Sequence, residues 1–245
     1  MKSKMLKGIL VIAPVMVFLL TVGSVQADPL DNWQWRNPVP QGNDLWGITY
    51  GSGTFVAVGS GGAILTSTDA TTWTSRNSGS SAYLWGITYG SGTFVAVGDS
   101  GTILTSTDGT SWTSRTSGTS VSMRGITYGN GTFVAVGGSG TILTSTDGTS
   151  WTSRSSGTTL NLNGITYGSG AFVAIGDSCT ILSSTDATTW TSRSLGYINM
   201  TLTGIIYGKG IFVAAGSEIG GAILTSPDGT TWTLSTIGVH LRGIT

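Results

Sequence analysis

Two residue types recur at spacings that could organise chemistry. Aspartates stand at Asp69, Asp108, Asp147, Asp186 and Asp228, each two residues after a serine and shortly before a tryptophan. Arginines stand at Arg36, Arg76, Arg115, Arg154 and Arg193, each three residues after a tryptophan. Carboxylates can transfer protons or ligate calcium, and guanidinium groups can bind anions. Neither series gathers what those tasks need. Each aspartate is the single carboxylate of its segment, whereas calcium takes roughly six to eight oxygens and ordinary glycoside hydrolysis needs two facing carboxyl groups. The repeat spreads the arginines along the chain, so they form no concentrated patch for phosphate.

The remaining reactive residues are few. The chain has one histidine (His240), one cysteine (Cys179) and one glutamate (Glu218), and Lys209 is the single lysine after residue 27. A Ser-His-Asp triad would have to use His240, and a zinc site would lack imidazoles. Cys179 replaces the glycine found at the matching positions Gly101 and Gly140, so an inert, buried thiol is expected there rather than a nucleophile. The inventory leads to three expectations: no metal, no cofactor, and a protein that is not an enzyme.

These residues sit in a chain that opens with an export signal. Lys2, Lys4 and Lys7 precede an apolar run from Gly8 to Val22, and Val25-Gln26-Ala27 provides a cleavage pattern. The run is shorter than the roughly 20 residues that span a bilayer. Residues 1–27 are therefore expected to be a cleaved signal peptide, with residues 28–245 exported to the periplasm, cell surface or medium. Cleavage removes three lysines and no acids, leaving 8 basic against 11 acidic residues, a net charge near −3. Nucleic acid is not an expected partner. A single cysteine cannot form an intrachain disulfide, so stability must come from packing.

The element that positions everything is a repeat. Gly-Ile-Thr-Tyr-Gly begins at Gly47, Gly86, Gly125 and Gly164, with variants at Gly204 and Gly243, giving spacings of 39, 39, 39, 40 and 39 residues. Within the third unit, residues 125–128 read as strand A, 132–136 as strand B, 141–146 as strand C and 150–154 as strand D. Turns rich in glycine, Asn-Gly and Asp-Gly separate them, and these residues tolerate positive φ. Phe133 and Ala135 point one way while Val134 and Val136 point the other, so both faces of the sheet must be covered. Four-stranded antiparallel meanders that cover one another are the β-propeller arrangement. A sandwich would expose one face of each strand, and the coils of a solenoid usually lack a complete four-stranded meander. The fold class is all-β: five complete 39-residue blades plus a partial one.

The C–D segment Ser106-Thr107-Asp108-Gly109-Thr110-Ser111-Trp112 recurs around Asp69, Asp147, Asp186 and Asp228. It resembles the Asp-box, or bacterial neuraminidase repeat, of sialidase-type propellers and of propellers similar to the photosystem II assembly and stability factor. The resemblance runs from Trp33 to the C-terminus. It departs from the family pattern in having one residue fewer between Asp and Trp, and Ala70 and Ala187 replace the glycine in two copies. In the family the motif is structural, which implies that the aspartate ties the turn and the tryptophan packs on the sheet. Sialidases also use an arginine cluster, a tyrosine nucleophile, a glutamate and an aspartate. Here the arginines fall on the outer strand, and Glu218 has no evident partner.

Specificity is expected where the copies differ. They differ in the D–A connections (residues 77–84, 116–123, 155–162 and 194–202). They differ also in the B–C turns Ser60–Gly62, Asp99–Gly101, Gly138–Gly140, Asp177–Cys179 and residues 217–221. Antiparallel order brings both sets to one end of the sheets. The residue opening strand A varies as well: Trp46, Trp85, Arg124, Asn163, Thr203 and Arg242. Loop faces of rigid scaffolds are common binding sites. Trp46 and Trp85 are the expected anchors, with Tyr83, Asp99, Arg124, Asn163, Asp177 and Glu218 adding polar contacts. Alternatively, the variation is drift in exposed loops and the tryptophans pack between blades.

The leading expectation is a non-catalytic binding or interaction module for a carbohydrate, peptide or surface protein. A sialidase-like enzyme and a purely structural envelope component are the rivals. Trp33 and Arg36 match a strand D, and residues 241–245 match a strand A. The chain is therefore expected to be truncated or one closing unit short, with self-association through open edges.

Overall fold

The computed structural model describes residues 42–193, 200–217 and 221–236. Residues 1–27, expected to be a signal peptide, and Trp33, Arg36, Glu218, His240 and the segment 241–245 lie outside the described residues.

Among the described residues, twenty strands form five four-stranded antiparallel sheets, each a meander in chain order. The first holds β1 (Leu45–Gly51), β2 (Thr54–Gly59), β3 (Ile64–Ser67) and β4 (Thr74–Arg76). The second holds β5 (Leu84–Gly90), β6 (Thr93–Gly98), β7 (Ile103–Ser106) and β8 (Thr113–Arg115). The third holds β9 (Met123–Gly129), β10 (Thr132–Gly137), β11 (Ile142–Ser145) and β12 (Thr152–Arg154). The fourth holds β13 (Leu162–Gly168), β14 (Ala171–Gly176), β15 (Ile181–Ser184) and β16 (Thr191–Ser192). The fifth holds β17 (Thr201–Gly208), β18 (Ile211–Ser217), β19 (Ala222–Ser226) and β20 (Thr233–Thr236). Among the described residues no helix is long and apolar enough to cross a membrane.

Successive sheets pack face to face, first strand against first strand: β1 on β5, β5 on β9, β9 on β13, β13 on β17. The two-sided apolar pattern of the second strand makes this obligatory. One junction shows the rule. Val95, Val97 and Ile103 from the second sheet meet Met123, Ile126, Phe133, Ala135 and Leu143 from the third, with Tyr128 and Trp151 closing the margins. Phe94, Phe133 and Phe172 are all buried, each at the same place in its sheet.

Two close fits lock the junctions. A Cβ on Gly51, Gly90, Gly129 or Gly168 would lie 2.0–2.1 Å from the ring of Tyr89, Tyr128, Tyr167 or Tyr207, the tyrosine of the following sheet. The glycine ending each first strand is thus a notch for the next tyrosine. The first strands also touch at their inner glycines: a Cβ on Gly125 would lie 3.2 Å from the Cα of Gly164.

Strand limits differ from the sequence reading in one informative way. The expected strand D at 150–154 shrinks to Thr152–Arg154, and strand C ends at Ser145. The intervening loop is longer because Asp147 gathers it. Its Oδ1 accepts from the backbone N–H of Thr149 (2.7 Å) and Ser150 (2.9 Å), and from the Ser145 hydroxyl (2.9 Å). Trp151 Nε1 then donates to the Gly148 carbonyl at 3.0 Å. The same pattern holds at Asp108. Two backbone N–H groups and a hydroxyl on one carboxylate oxygen favour its charged form. For Asp108 the Ser111 N–H, then Thr110 and Ser106, hold the carboxyl well below the usual carboxylate range.

Arg76, Arg115 and Arg154 lie on the fourth strands of three separate sheets. Arg76, Arg115 and Arg154 each donate Nε to a threonine hydroxyl on the neighbouring strand, at 2.8–2.9 Å. Cys179 is fully buried at φ +53. Its backbone N–H donates to the Met200 carbonyl, so the residue replacing glycine in this turn is walled in by the next connection.

Candidate rim site

The first two strands of every sheet pair with a one-residue irregularity, always at the same place. Leu84 pairs with Gly98 and Gly86 with Val97, which leaves Trp85 as the extra residue. Trp46, Arg124, Asn163 and Thr203 are the extra residues of their own sheets. A β-bulge bends its strand and re-aims the side chain it carries, and bulges gather at rims. A variable position of the repeat is therefore one that the backbone lifts out of the ladder. Where the adjoining inner glycines approach, Trp46 meets Trp85 and Arg124 meets Asn163.

The same end of each sheet carries the B–C turn and the D–A connection, and these two are tied together. Ser60, Asp99, Gly138 and Asp177 donate their N–H groups to the carbonyls of Asp44, Tyr83, Ser122 and Asn161, at 2.9–3.0 Å. These bonds fix the loops against each other and define a rim.

At one end of the rim lies an aromatic group. The Trp46 and Trp85 ring centroids are 5.0 Å apart, tilted by 46°. Tyr83 meets Trp85 edge-on at 6.0 Å. Trp46 and Tyr83 remain 48% and 47% exposed, so the cluster offers apolar surface to solvent. Trp85 is half-buried and donates Nε1 to Asp99 Oδ1 at 2.7 Å, which fixes its ring orientation. Trp85 thus partly fills space between the first two sheets, while Trp46 is half exposed.

Beside it runs a polar chain. Arg124 Nη1 donates to Asn163 Oδ1. Asn163 Nδ2 donates to Asp177 Oδ1 at 2.8 Å and to the Leu202 carbonyl at 3.0 Å. Asn161 Nδ2 donates to the other oxygen of Asp177 at 2.8 Å, and its own Oδ1 accepts the Ser139 N–H at 3.1 Å. Asp177 is thereby pinned at both oxygens, and Arg124 keeps further N–H donors to offer a ligand. Such an arrangement can accept an apolar side chain on the rings and a carbonyl or carboxylate oxygen at Arg124.

Seven of the eight residues expected at the site are thus on this rim, in two linked groups: Trp46, Tyr83, Trp85 and Asp99, then Arg124, Asn163 and Asp177. Glu218 lies outside the described residues. Asn161 was not singled out, although it lies within a connection whose variability marked it as a candidate region. Farther from the first strands, a cavity of about 950 Å³ opens between Ser117–Thr119 and the Trp151–Leu160 stretch. A smaller one of about 510 Å³ repeats it one sheet earlier, so this feature belongs to the repeat rather than to one place.

No protein-family model matches the chain, and no curated protein matches it. The likeness to Asp-box repeats accordingly stays at the level of the hairpin motif. Solved structures do match. YCF48 bound to D1 peptide aligns with a TM-score of 0.59 at 20% identity, over 78% of this chain; the chain spans 66% of that one. A catalytically inactive virginiamycin B lyase from Staphylococcus aureus with quinupristin aligns with a TM-score of 0.71 at 19% identity, over 83% of this chain and 73% of the other. YCF48 from Cyanidioschyzon merolae aligns with a TM-score of 0.53 at 16% identity, over 81% and 86%. These are β-propellers, and the likeness establishes that fold.

One sequence expectation is corrected here. The scarcity of histidine, glutamate and lysine was read as excluding an enzyme. The same fold carries a lyase, so the repeat architecture gives no ground for that exclusion. Function is set by a few side chains on a propeller's loops, and a residue census of the whole chain does not measure it.

Proposed function

We propose that this protein is an exported β-propeller module that binds an extended segment of a partner protein across the rim of bulged residues. The observation that carries the reading is the bulge itself. It takes the variable residue out of the ladder in every sheet and sets aromatic and cationic groups side by side. An apolar side chain of the peptide lies on Trp46 and Trp85, and a peptide carbonyl or carboxylate accepts from Arg124. Tryptophan and arginine are the residues most enriched at binding hot spots. The complex of a structural neighbour with a peptide supports a peptide as ligand class. The lysine-led apolar segment 1–22 supports export.

The test is a displayed peptide library selected on the purified protein, followed by titration of the recovered peptides. The reading expects a shared motif with an apolar residue near an oxygen-rich position, and binding lost in Arg124→Ala and Trp46→Ala. Recovery of no peptide, together with retention of an oligosaccharide on a glycan array, would replace the peptide with a sugar.

A further inference from the structure

The second and fourth sheets carry an aspartate where the first and third do not. Asp99 and Asp177 open their B–C turns, and Ser60 and Gly138 stand at the same place in the other two. The turn itself does not ask for a carboxylate. In all four sheets the carbonyl of its first residue accepts the N–H three residues on, from Ala63, Thr102, Thr141 and Thr180, at 3.0–3.2 Å. In all four the second residue has a positive φ, between 51° and 63°. Gly138 builds this turn with no side chain at all. The two carboxylates bond elsewhere, to side chains on the rim.

Asp99 Oδ1 accepts the Trp85 Nε1–H at 2.7 Å. An indole carries a single N–H, and holding it fixes which edge of the half-buried ring faces the turn. Asp177 acts one step removed. Asn163 Nδ2 donates one hydrogen to Asp177 Oδ1 at 2.8 Å and the other to the Leu202 carbonyl at 3.0 Å. Both amide hydrogens are then committed, which leaves the Asn163 oxygen as the atom that meets Arg124. A reversed amide would set an oxygen against two acceptors and an N–H against a guanidinium. Asp177 is itself held, because Asn161 Nδ2 donates to its second oxygen at 2.8 Å. We propose that Asp99 and Asp177 are positioning residues of the rim: Asp99 aims the Trp85 ring, and Asp177, through the Asn163 amide, aims the Arg124 guanidinium. This rests on the reading of the rim as a peptide site and changes what the two aspartates do there. They hold the groups that touch a ligand instead of touching it themselves. Side chains aimed beforehand lose less freedom on binding, which raises affinity without a new contact.

The experiment borrows turn residues that the protein already accepts: Asp99→Ser, as in the first sheet, and Asp177→Gly, as in the third. Asp99→Asn, which keeps an acceptor oxygen, is the conservative control. Each is titrated with the tightest peptide recovered from the displayed library. Asp99→Ser and Asp177→Gly are each expected to bind about tenfold more weakly, the loss that follows when the binding orientation falls to roughly a tenth of the population. Asp99→Asn is expected to restore most of the affinity, and all three should keep the wild-type thermal midpoint. Nuclear magnetic resonance on ligand-free protein supplies the second reading. The Trp85 indole N–H, identified by its loss in Trp85→Phe, should shift and exchange faster with water in Asp99→Ser. The Asn163 amide, identified through Asn163→Ala, should do so in Asp177→Gly. A wild type that binds no peptide overturns the peptide reading, and this proposal with it. A variant that binds as wild type does overturns the role of its aspartate and leaves the peptide reading standing. Unchanged resonances do the same. A fall in midpoint large enough to account for the lost binding would make the aspartates supports of the turn, and would overturn the proposal equally.

Discussion

Arg124 and Asn163 occupy the same position in consecutive repeats, 39 residues apart, and the guanidinium of the first donates to the side-chain carbonyl of the second. A contact between equivalent residues of neighbouring sheets joins the third and fourth sheets along the rim. If the two act as a unit in holding a peptide, their contributions are not additive. In a double-mutant cycle on a selected peptide, Arg124→Ala and Asn163→Ala together should weaken binding less than the sum of the single losses. A coupling of at least about 0.5 kcal/mol by titration calorimetry is expected for residues in one hydrogen-bonded network. Additive losses would separate Asn163 from the site.

The glycine notches give a stability prediction with an internal control. Gly129→Ala must displace the Tyr167 ring, since the new Cβ would lie 2.1 Å from it, and should cost about 1–3 kcal/mol as overpacking. Gly208→Ala, whose new Cβ meets nothing within 4 Å among the described residues, should fall within about 0.5 kcal/mol of wild type, as surface changes do. Urea denaturation of both variants checks the pair.

The aspartate hairpin gives a third. Ser106 is buried, and its hydroxyl accepts the Gly109 N–H at 2.8 Å while donating to Asp108. Ser106→Ala strands that buried N–H and should cost roughly 1–3 kcal/mol. In the first sheet Ala70 replaces the glycine, and the Ser67 hydroxyl holds Asp69 alone. Ser67→Ala should therefore cost less in the same denaturation assay.

Acid should destabilise the fold through these turns. In all five hairpin aspartates, backbone N–H donors lead the causes that hold the carboxyl below its usual range. A depressed folded-state pKa contributes stability that is present above the unfolded value, about 3.9 for aspartate. That stability is lost as pH falls from there through the folded value. The thermal midpoint should hold steady above that value and fall steadily below it. Asp108→Asn should lower the midpoint near neutrality and flatten the acid slope. A midpoint unchanged on acidification would leave the hairpin bonds without energetic weight.

The alternation of Phe133, Val134, Ala135 and Val136 carried the sheet and its two-sided cover, because period-two patterning is a property of one strand. The end of the sheets that would bear the rim was legible for a similar reason: meander topology sorts loops without knowing their shapes. The bulge was not legible. It is a mismatch in count between two strands, Leu84 with Gly98 but Gly86 with Val97, and no single strand records it. Asn161 was missed because its role arises from meeting Asp177, sixteen residues away, across a turn. The enzyme expectation erred for the opposite reason, in drawing a local conclusion from a global residue count.

Each junction between sheets is built from the same glycine, tyrosine, valine and isoleucine, while the residues that differ are raised on the bulges. A whole repeat can therefore be duplicated, deleted or moved by unequal recombination without inventing a new core. Such an event leaves the packing as it was and changes the order of side chains along the rim. Point mutation edits one letter of that surface; exchange of a repeat rewrites its sequence of letters in a single step. The uniformity of the junctions is thus what makes the rim free to vary.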